Sequence, residues 1–321
     1  MTKEDLRIVF MGTPDFAKIH LQALVENNYN IVGVFCREDK PKGRGMKMTP
    51  PPVKEYAESK NIPVYQPNKV KGNPEVMEKL KAWNPNLIIV VAYGRILPKE
   101  ILDYPKYGAI NVHGSILPKY RGAAPIQWSV INGDKETGVT TMYMDEGMDT
   151  GDMITIARIP IEPNDTYESI HDKLAIVGSK TLIKDLEVLI QNGGGLNRTK
   201  QPDNFTIAPM LSKDNSRIDF NSTADSICSL IRGTNPFPGA WCKIDEDRTY
   251  KIYEAKRIDW SVDYEAKLGE IVAINDKKGL FIVRCKDGYV NFIKLKAPGT
   301  RLMTAAEYIR GGKVKLGEIF N

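Results

Sequence analysis

Asn111 and His113 stand two residues apart at the end of an apolar run, Ala109-Ile-Asn-Val-His113. In a strand, residues i and i+2 point to the same side. One amide and one imidazole therefore share a face just before Gly114 and Pro118 stop the strand. A polar turn, Met144-Asp-Glu-Gly-Met-Asp-Thr-Gly-Asp152, follows about thirty residues later and offers carboxylates. Gly147 and Gly151 bracket Asp149 and allow a tight turn that aims it at His113. An amide, an imidazole and a carboxylate are the parts for proton transfer and oxyanion stabilisation at a carbonyl.

Each candidate has a bland alternative. A lone His in an apolar run is more often a satisfied core residue than a catalyst. The company of Asn111, the following glycine and the acidic turn favour catalysis for His113. His20 and His171 lie in helical stretches without such company and read as structural. The acidic turn lacks the alternating ligands and terminal Glu of a calcium loop. Met11-Gly-Thr-Pro-Asp-Phe16 is similar to a phosphate-binding turn but lacks G-x-G-x-x-G spacing, and Pro14 at a helix start is an ordinary structural choice. Residues 40–54 hold five basic and no acidic side chains, with Gly and Pro positions that argue against a regular element. This loop suits a phosphate backbone, or is an exposed surface loop.

Strands must alternate with helices to place these groups. The predicted strands are 7–12, 31–36, 87–93, 109–113, 139–144 and 153–161; predicted helices include 16–27, 53–60, 75–82 and 165–191. Near-continuous apolar strands interleaved with helices indicate an α/β domain with a mostly parallel sheet covered on both faces. Asn192-Gly-Gly-Gly195 then breaks the rhythm. Beyond it come one helix, 223–233, and short strands at 240–244, 249–255, 269–274, 280–284 and 289–295, a pattern that predicts a small barrel. The expected division is 1–191, a linker at 192–207, and 208–321.

The totals fit this plan. The 321 residues suffice for two domains, with 42% hydrophobic and 26% charged content, as in ordinary soluble proteins. No apolar run reaches membrane-spanning length, so a membrane is not an expected partner. Four scattered cysteines without a C-x-x-C pair, and no presequence pattern, fit a reducing cytoplasm. The net charge of +5 is uneven: residues 206–321 hold 19 basic against 15 acidic side chains, a weak pointer to an anionic partner.

Asn111-Val-His-Gly-Ser-Ile-Leu-Pro118, with Arg121-Gly-Ala-Ala-Pro125, the turn 145–151, the 11–16 turn and the basic Gly-Arg-Gly loop, resembles the folate-dependent formyltransferases over nearly the whole length. Within them it is similar to the branch acting on initiator methionyl-tRNA. The resemblance implies a Rossmann-like catalytic domain and a C-terminal OB-like barrel that binds tRNA. It implies transfer of the formyl group of 10-formyltetrahydrofolate to the free α-amine, with Asn111, His113 and Asp149 as the catalytic trio. It implies reduced-folate contacts from Ser115, Ile116, Leu117 and Pro118, and a pterin pocket lined by Val91, Tyr93 and Ile96 within 87–97. Arg44, with Lys42 and Lys47, is implied to meet the acceptor stem. Neither a metal nor DNA is expected, and a monomer suffices. Two rivals stand: formyl transfer to a small amine, such as glycinamide ribonucleotide or an amino-sugar nucleotide, and a non-catalytic RNA-binding protein. The first needs neither basic loop nor barrel; the second needs no catalytic trio.

Overall fold

The structure is a computed structural model that describes residues 1–42, 45–312 and 314–321, with only the backbone of Lys42. Its elements in chain order are β1 (Arg7–Gly12), α1 (Asp15–Glu26), β2 (Asn30–Phe35), β3 (Lys40–Lys42), β4 (Lys47–Thr49), α2 (Pro52–Ser59), β5 (Val64–Tyr65), α3 (Pro74–Trp83), β6 (Leu87–Val91), α4 (Lys99–Leu102), β7 (Ala109–His113), β8 (Arg121–Gly122) and α5 (Pro125–Ile131). They continue with β9 (Glu136–Tyr143), β10 (Met153–Pro160), α6 (Tyr167–Gln191), β11 (Ile207–Ala208), α7 (Ala224–Gly233), β12 (Ala240–Lys243), β13 (Thr249–Ile258), β14 (Ile271–Asn275), β15 (Leu280–Cys285), β16 (Gly288–Lys296), β17 (Met303–Thr304) and α8 (Ala305–Arg310).

Two compact units result. One comprises Met1–Pro125, Thr137–Ile159 and His171–Ala208; the other comprises Ile126–Glu136, Pro160–Ile170 and Pro209–Asn321. The first unit holds a seven-stranded sheet in the order β10-β9-β7-β6-β1-β2-β5. The strands from β7 through β5 run parallel, while β9 is antiparallel to β7. The chain winds one way from β1 to β2 and the other way to β6 and β7, so its switch point lies between β1 and β6. Ligands in such sheets bind beyond the carboxyl ends of the strands. The Leu87–Val91 run is buried at every position because it is covered on both faces. On one face Val9, Met11, Ile88 and Val90 pack with Val76 and Leu80 of α3 and Ile101 of α4. On the other, α6 comes close at Gly178: a Cβ there would lie 2.7 Å from His20 Nε2 and 3.2 Å from Val112 Cγ1.

The basic stretch corrects one expectation. Lys40–Lys42 and Lys47–Thr49 pair antiparallel as a short hairpin. Pro41 needs no N–H in a two-stranded ribbon whose other edge is free, which is where proline is tolerated in strands. Arg44 lies outside the described residues.

The second unit holds an antiparallel ladder, β12-β13-β16-β15-β14, with β17 on β16. Its core centres on Tyr250, Phe281, Phe292 and Phe320, with Phe220 stacked on Phe320 at 6.0 Å. The expected barrel is not closed. Among the described residues β12 and β14 do not pair with each other. Asn321 exchanges backbone hydrogen bonds with Lys243, while Phe320 N donates to Gly269 O and Ile271 N to Glu318 O. A few residues span the two edges, too few to form the extra strand that closure requires.

Candidate active site

Asn111 and His113 end β7 as the sequence predicts, on the side opposite Val112. Their backbone partners across the ladder are Met142 and Thr140 of β9. Both side chains are nearly buried, 9% and 6% exposed. Among the described residues the Asn111 carboxamide takes no hydrogen bond, so its N–H groups stay available to a ligand.

His113 is fixed by the backbone. Its Nε2 lies 2.9 Å from the Tyr120 carbonyl oxygen. A carbonyl only accepts, so Nε2 carries the hydrogen and Nδ1 is the nitrogen left to take a proton. Nδ1 faces Asp149 Oδ1 at 3.6 Å, beyond direct hydrogen-bond range. The turn thus brings Asp149 to His113 as expected, but the bond that orients the ring comes from Tyr120. The other Asp149 oxygen, Oδ2, accepts from Gly122 N at 2.8 Å. Both groups are thus anchored, the imidazole by the Tyr120 carbonyl and the carboxylate by Gly122 N.

Several backbones around the site are left-handed without being glycine: Ala92 (φ 46°), Tyr120 (φ 62°) and Asp149 (φ 56°). Each costs about 1–2 kcal/mol and persists only where neighbours enforce it. Gly122 has φ 119°, and a Cβ there would meet Ala208 O at 2.8 Å. That closeness comes from β11, which pairs in parallel with β8. Tyr120 N also donates to Thr206 Oγ1 at 2.8 Å. The carbonyl that sets the His113 tautomer is therefore held from residues 206–208.

The Ser115–Pro118 segment is itself braced. Ser115 is fully buried, its Oγ donating to Lys119 O at 2.6 Å. Thr140 Oγ1 donates to Ser115 O and accepts from Leu117 N. Leu117 is buried, and Ile116 and Pro118 are partly exposed. Across the site, Val91 is buried and Tyr93 packs into the α3 side of the core. The Tyr93 hydroxyl has no partner among the described residues, and burial pushes it well above the usual phenol range. Ile96 is 83% exposed. Thr13 Oγ1 donates to Tyr93 O at 3.3 Å, so the 11–16 turn holds the loop after β6. Lys47 is exposed on β4. His20 and His171 stand away from this group: His20 Nδ1 donates to Phe16 O, and His171 contacts Asp172.

Sequence reasoning missed Tyr120, Thr140, Gln201 and Thr206. A backbone carbonyl leaves no signature in side-chain types, and Gln201 and Thr206 fall in a stretch read as a linker because of its glycines. The alternation in Phe205-Thr-Ile-Ala208 was the available signal.

A family model described as formyl transferase matches residues 6–186, and one described as formyl transferase, C-terminal domain, matches residues 210–313. The methionyl-tRNA formyltransferase of Ruminiclostridium cellulolyticum is 44% identical over 314 residues, 98% of this chain and 99% of that one. That of Clostridioides difficile is 44% identical over 312 residues, covering 97% and 99%. Two solved structures share the fold at low identity. The Aquifex aeolicus HypX complex with tetrahydrofolic acid has a TM-score of 0.60 at 17% identity, over 94% of this chain and 46% of that one. The Helicobacter canadensis N-formyltransferase, in complex with folinic acid and dTDP-3-aminofucose, has a TM-score of 0.62 at 20% identity, over 89% and 98%. Matched in both its catalytic and its C-terminal parts, the chain belongs to the formyl transferase family.

Proposed function

We propose that this protein transfers a formyl group from 10-formyltetrahydrofolate to the free α-amine of initiator methionyl-tRNA. The observation that carries this acceptor is 44% identity, along the full length, to proteins named for that reaction. The basic hairpin and the second unit lie inside that match.

The folate supplies an activated formyl carbon; everything else falls on this chain. Asn111 donates to the formyl oxygen, where negative charge develops. His113 Nδ1 takes the proton that the amine gives up, Asp149 stabilises the imidazolium that results, and that proton passes to the folate nitrogen as its bond to the formyl carbon breaks. An α-amine ordinarily titrates at about 7.7–8, which leaves a useful fraction neutral at pH 7. Much of the rate enhancement then comes from holding amine and formyl carbon together. The chain fits a flat, partly apolar donor at the open end of β6. There Ile96, Ala92 and Gly94 are all exposed, and the Ile96 side chain offers an apolar surface that a ring would cover. Ser115–Pro118, which follows the neighbouring strand β7, makes further donor contacts, with Val91 and Tyr93 lining the pterin pocket.

Residues 1–191 act as the catalytic domain, 192–207 as the connection and 208–321 as the tRNA-binding domain. Arg44, Lys42 and Lys47 meet acceptor-stem phosphates, giving a salt-sensitive affinity. The protein works as a cytoplasmic monomer, without DNA or membrane. Among the described residues no helix is long and apolar enough to cross a membrane.

The test is direct. Purified protein, 10-formyltetrahydrofolate and methionine-charged initiator tRNA are mixed, and formyl-methionine on the tRNA is measured. Rapid formylation, weak with elongator tRNA, is expected. Arg44→Ala is expected to raise KM for tRNA and leave that of the donor unchanged. Formylation of an amino-sugar nucleotide or glycinamide ribonucleotide in preference to the tRNA would overturn the acceptor.

A further inference from the structure

Residues 199–208 grip the two segments that flank His113. Met153 and Thr199 exchange both backbone hydrogen bonds at 2.8 Å. Two residues on, Gln201 is 7% exposed and uses its carboxamide at both ends. Its Nε2 donates to Asp149 O and to Gly151 O, each at 2.8 Å. Its Oε1 accepts from Arg121 Nε at 3.0 Å and Nη2 at 2.8 Å. Arg121 is itself 8% exposed, with its guanidinium 4.5 Å from the centre of the Phe205 ring. Further on, Thr206 and Ala208 bind the backbone of residues 120–124.

The chemistry of the side chain matters here. A carboxamide donates to two carbonyls and accepts from a guanidinium while carrying no charge. A carboxylate would keep Arg121 but face two carbonyl oxygens with no hydrogen to offer. Asp149 has a left-handed backbone, and its side-chain direction follows from the plane of its own peptide. Pinning the carbonyls of residues 149 and 151 fixes that plane. Arg121, in turn, sits next to Gly122, whose N–H holds the Asp149 carboxylate.

We infer that Gln201, braced by Arg121, is a positioning residue for proton transfer. It touches no substrate and acts through Asp149. The inference rests on the reading of Asp149 and His113 given above, and it gives the segment between the glycines and the second unit a role in catalysis rather than in connection alone.

A double-mutant cycle with Gln201→Met and Asp149→Asn in the full-length protein tests it, with each variant first shown to be folded by thermal unfolding. Gln201→Met is expected to lower kcat by roughly 10²-fold, as a displaced catalytic group does, with KM for tRNA and for 10-formyltetrahydrofolate within about 3-fold of wild type. The double variant is expected to be no slower than Asp149→Asn alone, because residues acting as one unit are not additive. Gln201→Glu, which retains the acceptor for Arg121, is expected to lose as much kcat as Gln201→Met, and it carries the same cycle if the methionine variant does not fold. Wild-type kcat in Gln201→Met beside a crippled Asp149→Asn overturns the inference alone. Losses that multiply in the double variant also overturn it, since they signal a general structural effect. Wild-type turnover in Asp149→Asn overturns the reading of Asp149 and the inference together.

Discussion

At the scale of single residues, the site is an amide, an imidazole and a carboxylate whose roles are set by what else each one touches. Among the described residues Asn111 keeps its donors free. His113 gives its Nε2 hydrogen to Tyr120 O, which leaves Nδ1 as the ring nitrogen with a lone pair to offer. Asp149 spends one oxygen on Gly122 N and turns the other to the imidazole. His113→Ala is therefore expected to lower kcat by about 10²–10⁴-fold, the usual contribution of a general base. Asn111→Ala is expected to lose about 10²–10³-fold, the usual cost of one oxyanion donor. Single-turnover formylation measures both, and tetrahydrofolate binding by calorimetry should survive in each. Turnover near wild type in the His113 variant would remove it from the chemistry.

Elements decide whether those residues meet. β9 is the strand that carries Thr140 under the Ser115–Pro118 loop, and it lies between β7 and β10. Gly138 lets it pass. A Cβ there would fall 2.3 Å from Ala157 O of β10 and 3.0 Å from Ile116 Cγ1. The carbonyl belongs to a strand and has nowhere to move, which is the usual reason for glycine inside a strand. Gly138→Ala is expected to lower the unfolding free energy by about 1–3 kcal/mol, the cost of overpacking. Urea unfolding followed by circular dichroism reads this. An unchanged midpoint would mean that β10 yields more easily than its position in the sheet implies.

For the whole molecule, acid stability is the accessible property. His20, on α1, is wholly buried against Gly178 of α6, and burial holds its pKa down at about 4 against an ordinary 6.5. The unfolded chain takes a proton near pH 6.5, whereas the folded protein refuses one until about pH 4. Stability is therefore complete above pH 6.5 and falls as the pH drops through that window. At about 1.4 kcal/mol per unit, roughly 2 kcal/mol is lost by pH 5. His20→Leu is expected to reduce the difference in unfolding free energy between pH 7 and pH 5 by about that amount. An identical pH dependence in the variant would place the acid sensitivity elsewhere.

Much of this protein is legible along the chain because its signals are local. Short apolar runs rich in β-branched residues, such as Leu87–Val91, suit strands buried on both faces, and Asn111 and His113 share a side because a strand repeats every two residues. Glycines on either side of Asp149 mark a turn without any knowledge of where it points. What the tertiary structure alone decided is non-local. The tautomer of His113 depends on a carbonyl seven residues away, which has no side-chain signature. The orientation of Asp149 depends on Gln201, fifty-two residues further on, in a stretch whose glycines read as a linker. Whether five short strands close into a barrel depends on how their two edges meet, and residues 318–321 bridge those edges without closing them. Periodicity records which way a side chain faces; partners brought together by folding are recorded only in the packed chain.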